Sequence, residues 1–164
     1  MTEAAVTITY LEMAAPPDAP PPLPDGFVIT EAVNFPLWYF FSLYDAVGAA
    51  YQWTDRHDDR DGTAAWIARH DVRLFTLEKQ GWPHGFFMLE GGETVDLAYF
   101  GLVPEAVGLK IGRTFLRHAV ATAYKNGAKK LTVNTCTLDH PRALPLYQSV
   151  GFQPIRTKER MRNV

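Results

Sequence analysis

The alternation of apolar and polar positions marks out most of the chain. Val6, Ile8 and Tyr10 alternate with Thr7, Thr9 and Leu11, which predicts a short strand. The pattern then stops at a proline-rich run. Half of the chain's twelve prolines lie between Pro16 and Pro24, so residues 14–25 read as a stiff, polyproline-like connector. A spacer is the first reading of this run and a ligand for an SH3-type groove the second. Gly26 to Ala32 reads as a further strand. Pro36 to Ala50 is apolar nearly all round, which predicts a helix buried on more than one side, with Asn34 as N-cap and Pro36 in the first turn. The aromatic residues of 35–53, from Phe35 to Tyr51 and Trp53, either fill a core or wall a pocket. A polar turn over 54–62 leads into a helix at about 60–69.

Three strands follow, over Val72 to Glu78, Gly85 to Glu90 and Thr94 to Leu102, split by Gly81-Trp82-Pro83 and by Gly91-Gly92. This predicts an antiparallel meander. After Pro104 the period changes. Ile111, Phe115, Ala119 and Ala123 recur every four residues, which predicts an amphipathic helix closed by Asn126-Gly127. Leu131 to Thr135 reads as a strand, Arg142 to Val150 as a short helix stopped by Gly151, and Phe152 to Arg156 as a last strand. A strand–helix–strand succession of this kind predicts a parallel pair joined by a right-handed crossover. The fold class expected is mixed α/β, in a single domain over residues 1–164.

Composition narrows the function classes. With 164 residues, 47% apolar and 21% charged, the chain is an ordinary globular one. A net charge of −2 provides no basic footprint for nucleic acid. The single Cys136 excludes an internal disulfide framework and a multi-cysteine zinc site. No apolar run is long enough to span a membrane, and MTEAAVTITYLEM lacks the basic start and apolar core of a secretory signal, so a cytoplasmic protein is expected. TDRHDDRDG is rich in aspartate, but with Gly62 at the sixth position of a calcium loop the first and twelfth positions fall on His57 and Ala68, neither a carboxylate. No metal site is expected. Asp55 or Arg56 could still touch a substrate.

The chemistry points to residues 100–113, where a strand ends, a tight loop follows and a helix starts. Unpaired N–H groups and a partial positive charge at a helix start suit a phosphate. Gly108 and Gly112 leave room for it, and Lys110, Arg113 and Arg117 add positive charge. Neither a Gly-x4-Gly-Lys-Ser/Thr nor a Gly-x-Gly-x-x-Gly run is present, so nucleoside-triphosphate and Rossmann readings fail. In isolation, two glycines at a helix start also read as an ordinary turn. Cys136 and His140, four residues apart near a strand end, lack a third orienting group and do not make a nucleophile–base pair.

Two signatures together resemble the GNAT acyltransferase superfamily. Val107-Gly108-Leu109-Lys110-Ile111-Gly112, five residues after Leu102, is similar to its pyrophosphate loop, Arg/Gln-x-x-Gly-x-Gly/Ala. His140-Pro-Arg-Ala143-Leu-Pro-Leu146-Tyr147-Gln-Ser-Val-Gly151-Phe152 resembles its Asn-x-x-Ala-x-x-Leu-Tyr-x-x-x-Gly-Phe helix. Val107 stands for the usual Arg or Gln, Lys110 for the first motif glycine, and His140 for an Asn. TYLEMAAPP, YDAVGAAYQW and NTCTLDHP are similar to a bacterial GNAT subgroup whose substrate is unassigned.

The resemblance implies a GNAT-type mixed sheet, with an N-terminal antiparallel meander and then a β-α-β-α-β unit whose parallel pair splays around acyl-CoA. It implies an N-acetyltransferase that moves an acetyl group from acetyl-CoA to a primary amine of a small molecule or peptide by direct attack, with no metal. It places Phe100, Gly101, Leu102, Gly108, Leu109, Lys110, Ile111, Gly112, Arg113, His140 and Tyr147 around the acyl-CoA. The Leu102 N–H would face the oxyanion and Tyr147 the leaving sulfur. Asp96 lies six residues before Leu102, so the two-residue period of the strand puts both on one face, and histone-modifying GNATs are similar in holding at the corresponding place a glutamate that acts as base through water. Glu90 is the reserve base. The plain alternatives are a core ring for Tyr147 and an exposed strand carboxylate for Asp96. A non-catalytic acyl-CoA binder or interaction module is the rival to an enzyme, and a homodimer stays open.

Overall fold

The computed structural model describes residues 2–164. In chain order the elements are β1 (Glu3–Met13), β2 (Val28–Ala32), α1 (Leu37–Gly48), α2 (Asp55–Asp58), α3 (Arg60–Ile67), β3 (Val72–Lys79), β4 (Trp82–Gly91), β5 (Thr94–Leu102), α4 (Gly112–Lys125), β6 (Lys130–Cys136), α5 (Ala143–Ser149) and β7 (Gln153–Asn163). The strands form one mixed sheet in the order β2-β3-β4-β5-β6-β1-β7.

Both faces of the sheet are covered, so the middle strands are apolar on consecutive residues rather than on alternate ones. Phe86 and Met88 of β4 pack with Phe40, Phe41 and Tyr44 of α1 and Trp66 of α3. Phe87 and Leu89 point the other way, into a core made with Phe115, Leu116 and Ala119 of α4 and with Tyr147 and Phe152. Phe75 and Phe87 stack across β3 and β4 with centroids 4.8 Å apart.

The meander expected over Val72 to Leu102 is present as β3 to β5, with β2 added at its edge, and the expected parallel pair as β5 and β6. That pair holds only at Thr94–Lys130, Val95–Leu131 and Asp96–Thr132; beyond Asp96 the strands part. Four expectations need correction. The first strand runs to Met13 and does not join the meander: β1 lies between β6 and β7, antiparallel to both. The last strand runs to Asn163 instead of Arg156, because β1 gives it ten residues to pair with. Asn34 is not an N-cap; it is a left-handed turn residue (φ 54°), and Pro36 takes the cap position. The β3–β4 hairpin turns one step earlier than read, on Gln80 and Gly81, both at positive φ as a two-residue primed turn requires, so Trp82 and Pro83 already belong to β4.

The proline-rich segment lies along α4. Arg117 donates to the Ala19 carbonyl (3.1 Å), the Nε2 of His118 lies 2.7 Å from the Pro21 carbonyl oxygen, and Leu23 packs on the core. Those carbonyls are occupied, which fits the spacer reading of this segment.

Candidate active site

Where β5 and β6 part, a cleft of about 730 Å³ opens, bounded by α1, the start of α4, α5, β1 and β7. Most of the expected site residues line it: Asp96, Phe100, Gly101, Leu102, Gly108, Lys110, Gly112, Arg113, His140 and Tyr147. Leu109 and Ile111 do not. Ile111 is a core residue and Leu109 is exposed to solvent.

One end of the cleft is made largely of backbone. The Val103 N–H donates to His84 on β4, so alternation along the strand turns the Leu102 N–H toward the gap that β6 has left. A 3-10 turn over Pro104–Ala106 then carries the chain to α4. No side chain caps this helix; its first internal bond is from Phe115 N–H to the Ile111 carbonyl. Among the described residues the N–H groups of Gly112, Arg113 and Thr114 find no protein acceptor, nor do those of Gly108 and Lys110. Gly108 sits at φ 95°, where glycine is favoured. Lys110 occupies the left-handed region at φ 61°, at a cost of about 1–2 kcal/mol for a non-glycine residue. The backbone shape of the motif glycine is thus kept under a different side chain. Gly112 has ordinary helical φ, and a Cβ there would meet only Leu102 Cδ1, at 3.8 Å. Nothing within the protein calls for a glycine at 112, and the free N–H groups beside it suit a pyrophosphate. Gly101 differs: a Cβ there would lie 2.3 Å from Val47 Cγ1, so its bareness serves the packing of α1 on β5.

The side chains opposite come from several elements. The Tyr147 ring is buried in the core, while its hydroxyl hydrogen-bonds no protein group and opens to the cleft. Burial, with the charges of Asp139 and Asp96, pushes this phenol well above its usual value. Asp96 accepts a hydrogen bond from Thr132 (2.7 Å), yet burial outweighs that bond and, with Glu90 across the β4–β5 ladder, raises its carboxyl above the usual range. Glu90 lines the cleft too but is held by Arg69 at 3.0 Å. The shared-face argument for Asp96 and Leu102 fails. The β4–β5 register shifts between Met88 and Leu89, opposite Tyr99 and Leu97, so β5 bulges at Ala98 and its parity inverts. Before the bulge Val95 and Leu97 face the α4 core; after it Phe100 and Leu102 do, leaving Asp96 and Tyr99 toward α1.

His140 lines the cleft with its Nδ1 accepting the Arg142 N–H (3.1 Å). Arg113 ties α4 to α5 through the Ser149 carbonyl (3.2 Å). Sequence reasoning passed over Tyr99 and Asp139. Asp139 accepts from Trp53 Nε1 (3.2 Å), the Thr135 hydroxyl (2.7 Å) and the Cys136 N–H (2.9 Å), pinning the loop after β6 to the aromatic segment after α1. Only the aspartate two residues from Thr137 in a polar turn signalled it, and such turns are common. No group of metal-ligating side chains occurs among the described residues, and no helix there is long and apolar enough to cross a membrane.

Comparison with known proteins agrees with this geometry. No curated protein matches the chain. Among solved structures, a conserved protein of unknown function from Staphylococcus epidermidis is 12% identical, with a TM-score of 0.67 over 97% of this chain and 62% of its own. A GCN5-related N-acetyltransferase from Kribbella flavida is 16% identical, with a TM-score of 0.65 over 94% of this chain and 56% of its own. An aminoglycoside acetyltransferase from an uncultured soil metagenomic sample, solved with trehalose, is 13% identical, with a TM-score of 0.61 over 77% of this chain and 88% of its own. The chain thus spans about 56–62% of the length of the first two, and at these identities the likeness is one of fold. The Acetyltransferase (GNAT) family matches residues 37–152, from the start of α1 through the end of the α5 signature, and the chain belongs to that family.

Proposed function

We propose that this chain is an N-acetyltransferase that moves the acetyl group of acetyl-CoA to a primary amine by direct attack. The observation that carries the reading is the parting of β5 and β6. It brings the Leu102 N–H, the uncapped start of α4, the Asp96 carboxyl and the Tyr147 hydroxyl onto one cleft. Acetyl-CoA supplies the activated acyl group as a thioester. Gly108, Lys110, Gly112 and Arg113 would hold its pyrophosphate, with His140 and Phe100 along the arm.

Three tasks then fall to the chain. The Leu102 N–H is free to stabilise negative charge on the acyl oxygen. Asp96, with its raised proton affinity, draws a proton from the incoming ammonium, directly or through a water. Arg69 neutralises Glu90, so Asp96 is the better base of the two. Tyr147 hydrogen-bonds the leaving sulfur. Reference values of about 10 for a phenol and about 8.5 for a thiol make full proton transfer uphill by about 2 kcal/mol, and burial adds to that. A bond that strengthens as charge reaches sulfur suffices. The test is a panel of primary amines screened by release of free CoA thiol. Thiol release that depends on one amine class supports the reading; tight acetyl-CoA binding with no release by any amine would make the chain a non-catalytic binder.

A further inference from the structure

We infer that the acceptor carries a carboxylate besides its amine, and that Arg56 receives that carboxylate. The inference rests on the acyltransferase reading and specifies which amine it uses. On the α1 side of the sheet the cleft is walled by Tyr44, Trp53 and Tyr99, and there the charges are not balanced. Glu90 is paired with Arg69, Asp55 with Arg162 at 3.1 Å, and Asp139 is held by three hydrogen-bond donors in the loop after β6. Asp96 is left as the carboxylate facing an ammonium. Among the cations, Arg56 is half-buried, lines the cleft, and has no carboxylate within ion-pair distance among the described residues.

Arg56 is also held in place. Its Nε donates to the Tyr99 hydroxyl (2.9 Å), its guanidinium carbon lies 3.8 Å from the Trp66 ring centroid, and its backbone N–H donates to the Tyr44 hydroxyl (3.3 Å). One of five guanidinium N–H groups is used, and the planar fork stays open to accept a carboxylate through two parallel bonds. Tyr99 connects the two ends: it lies three residues after Asp96 on β5, and the bulge puts both on the same face. An ammonium at Asp96 and a carboxylate at Arg56 define a zwitterion, and the rings between them fit an apolar or aromatic body.

The test uses the intact protein with leucine, methionine, phenylalanine, tryptophan, 4-aminobutanoate and 6-aminohexanoate, each beside its neutral amide. For the preferred body, kcat/KM for the acid should exceed that for the amide by about 10–100-fold, the range of a charge-assisted bond. Arg56→Met, which keeps the aliphatic stem against Trp66, should reduce that ratio below about threefold, with Arg56→Lys between. A purely structural Arg56 would lower both substrates alike and leave the ratio unchanged, which would overturn the inference, as would amides matching acids in the wild type. Thermal shift with the N-acetyl acids and N-acetyl amides reads the same site without turnover. Stabilisation by the acids alone, lost in Arg56→Met while the acetyl-CoA shift persists, supports the carboxylate site even where no thiol is released, in which case only the acyltransferase reading fails. No acid-specific shift and no acid preference would remove the carboxylate site.

Discussion

The two ends of the cleft are built differently. The end at the start of α4 is backbone: a strand edge, a loop with two left-handed residues and a helix without a cap. The end near Arg56 is side chain: rings and charges from α1, α2, β5 and β7, contributed by residues as far apart as Tyr44 and Arg162. Backbone recognition tolerates substitution, so Lys110 can stand where the family pattern has glycine while the loop keeps its shape. Side-chain recognition does not, and on the proposed function it is there that a choice of acceptor would reside.

Substitutions at four positions set these ends against each other. The largest effect should come from Gly112→Glu, which sends a carboxylate into the anion site. Acetyl-CoA affinity should fall at least 1,000-fold by calorimetric titration, while Gly112→Ala, with only Leu102 Cδ1 to meet, should fold normally and gain up to about 1 kcal/mol in the helix. If Gly112→Glu binds acetyl-CoA as the wild type does, the backbone end is not a pyrophosphate site. Next, Asp96→Asn should cut turnover by about 10²–10⁴-fold at neutral pH, with recovery at high pH where free amine is abundant. In the wild type the acid limb of the pH–rate profile should lie above the ordinary carboxylate range. The linked stability has a definite sign. A carboxyl whose folded-state pKa is raised contributes stability below its unfolded value of about 3.9 and loses it as pH rises through the folded one. Asp96→Asn should therefore melt higher than the wild type at pH 8 and not at pH 3. A variant with wild-type turnover and melting temperature at every pH would take Asp96 out of the mechanism.

Tyr147→Phe should lower kcat by about 10- to 100-fold with the KM for acetyl-CoA nearly unchanged. Its melting temperature should stay put, because the hydroxyl bonds nothing in the protein. Wild-type turnover would make Tyr147 a core ring alone. The smallest effect belongs to Lys110→Gly, which releases the left-handed strain and should stabilise the fold by up to about 1 kcal/mol while changing acetyl-CoA affinity less than threefold. A tenfold loss of affinity would show instead that the Lys110 ammonium binds the cofactor.

How much of this was legible in the sequence divides along the same line. The α4 periodicity, the Val107–Gly112 loop and the Tyr147 signature are local: the helix is present, and the loop and Tyr147 line the cleft. The β5 bulge was not legible, because Leu97, Ala98, Tyr99 and Phe100 are all apolar and a parity change leaves no trace in such a run. Gly101 and Gly112 look alike as letters, yet a Cβ at one would strike Val47, while at the other it would meet only Leu102 Cδ1, on the cleft side. Arg56 could be named only together with Asp55 as a residue that could touch substrate, since its partners Trp66 and Tyr99 lie 10 and 43 residues away. The position of β1 was hidden for the same reason: an alternating strand shows which face is buried, never which strand it will meet.

That position bears on how the chain reaches its fold. The β2–β5 meander closes through neighbours in sequence, but β1 must wait for β6 and β7, with pairs such as Glu3–Asn163 and Met13–Leu131 spanning nearly the whole chain. During synthesis the first strand leaves the ribosome long before either partner exists. Closing a loop of that size is entropically slow, and contacts this distant set the pace of folding. The β1–β7 ladder should be the last part of the sheet to gain amide protection in a pulse-labelled refolding experiment. Because β1 lies beside β6, the far wall of the cleft would then form only in that final step.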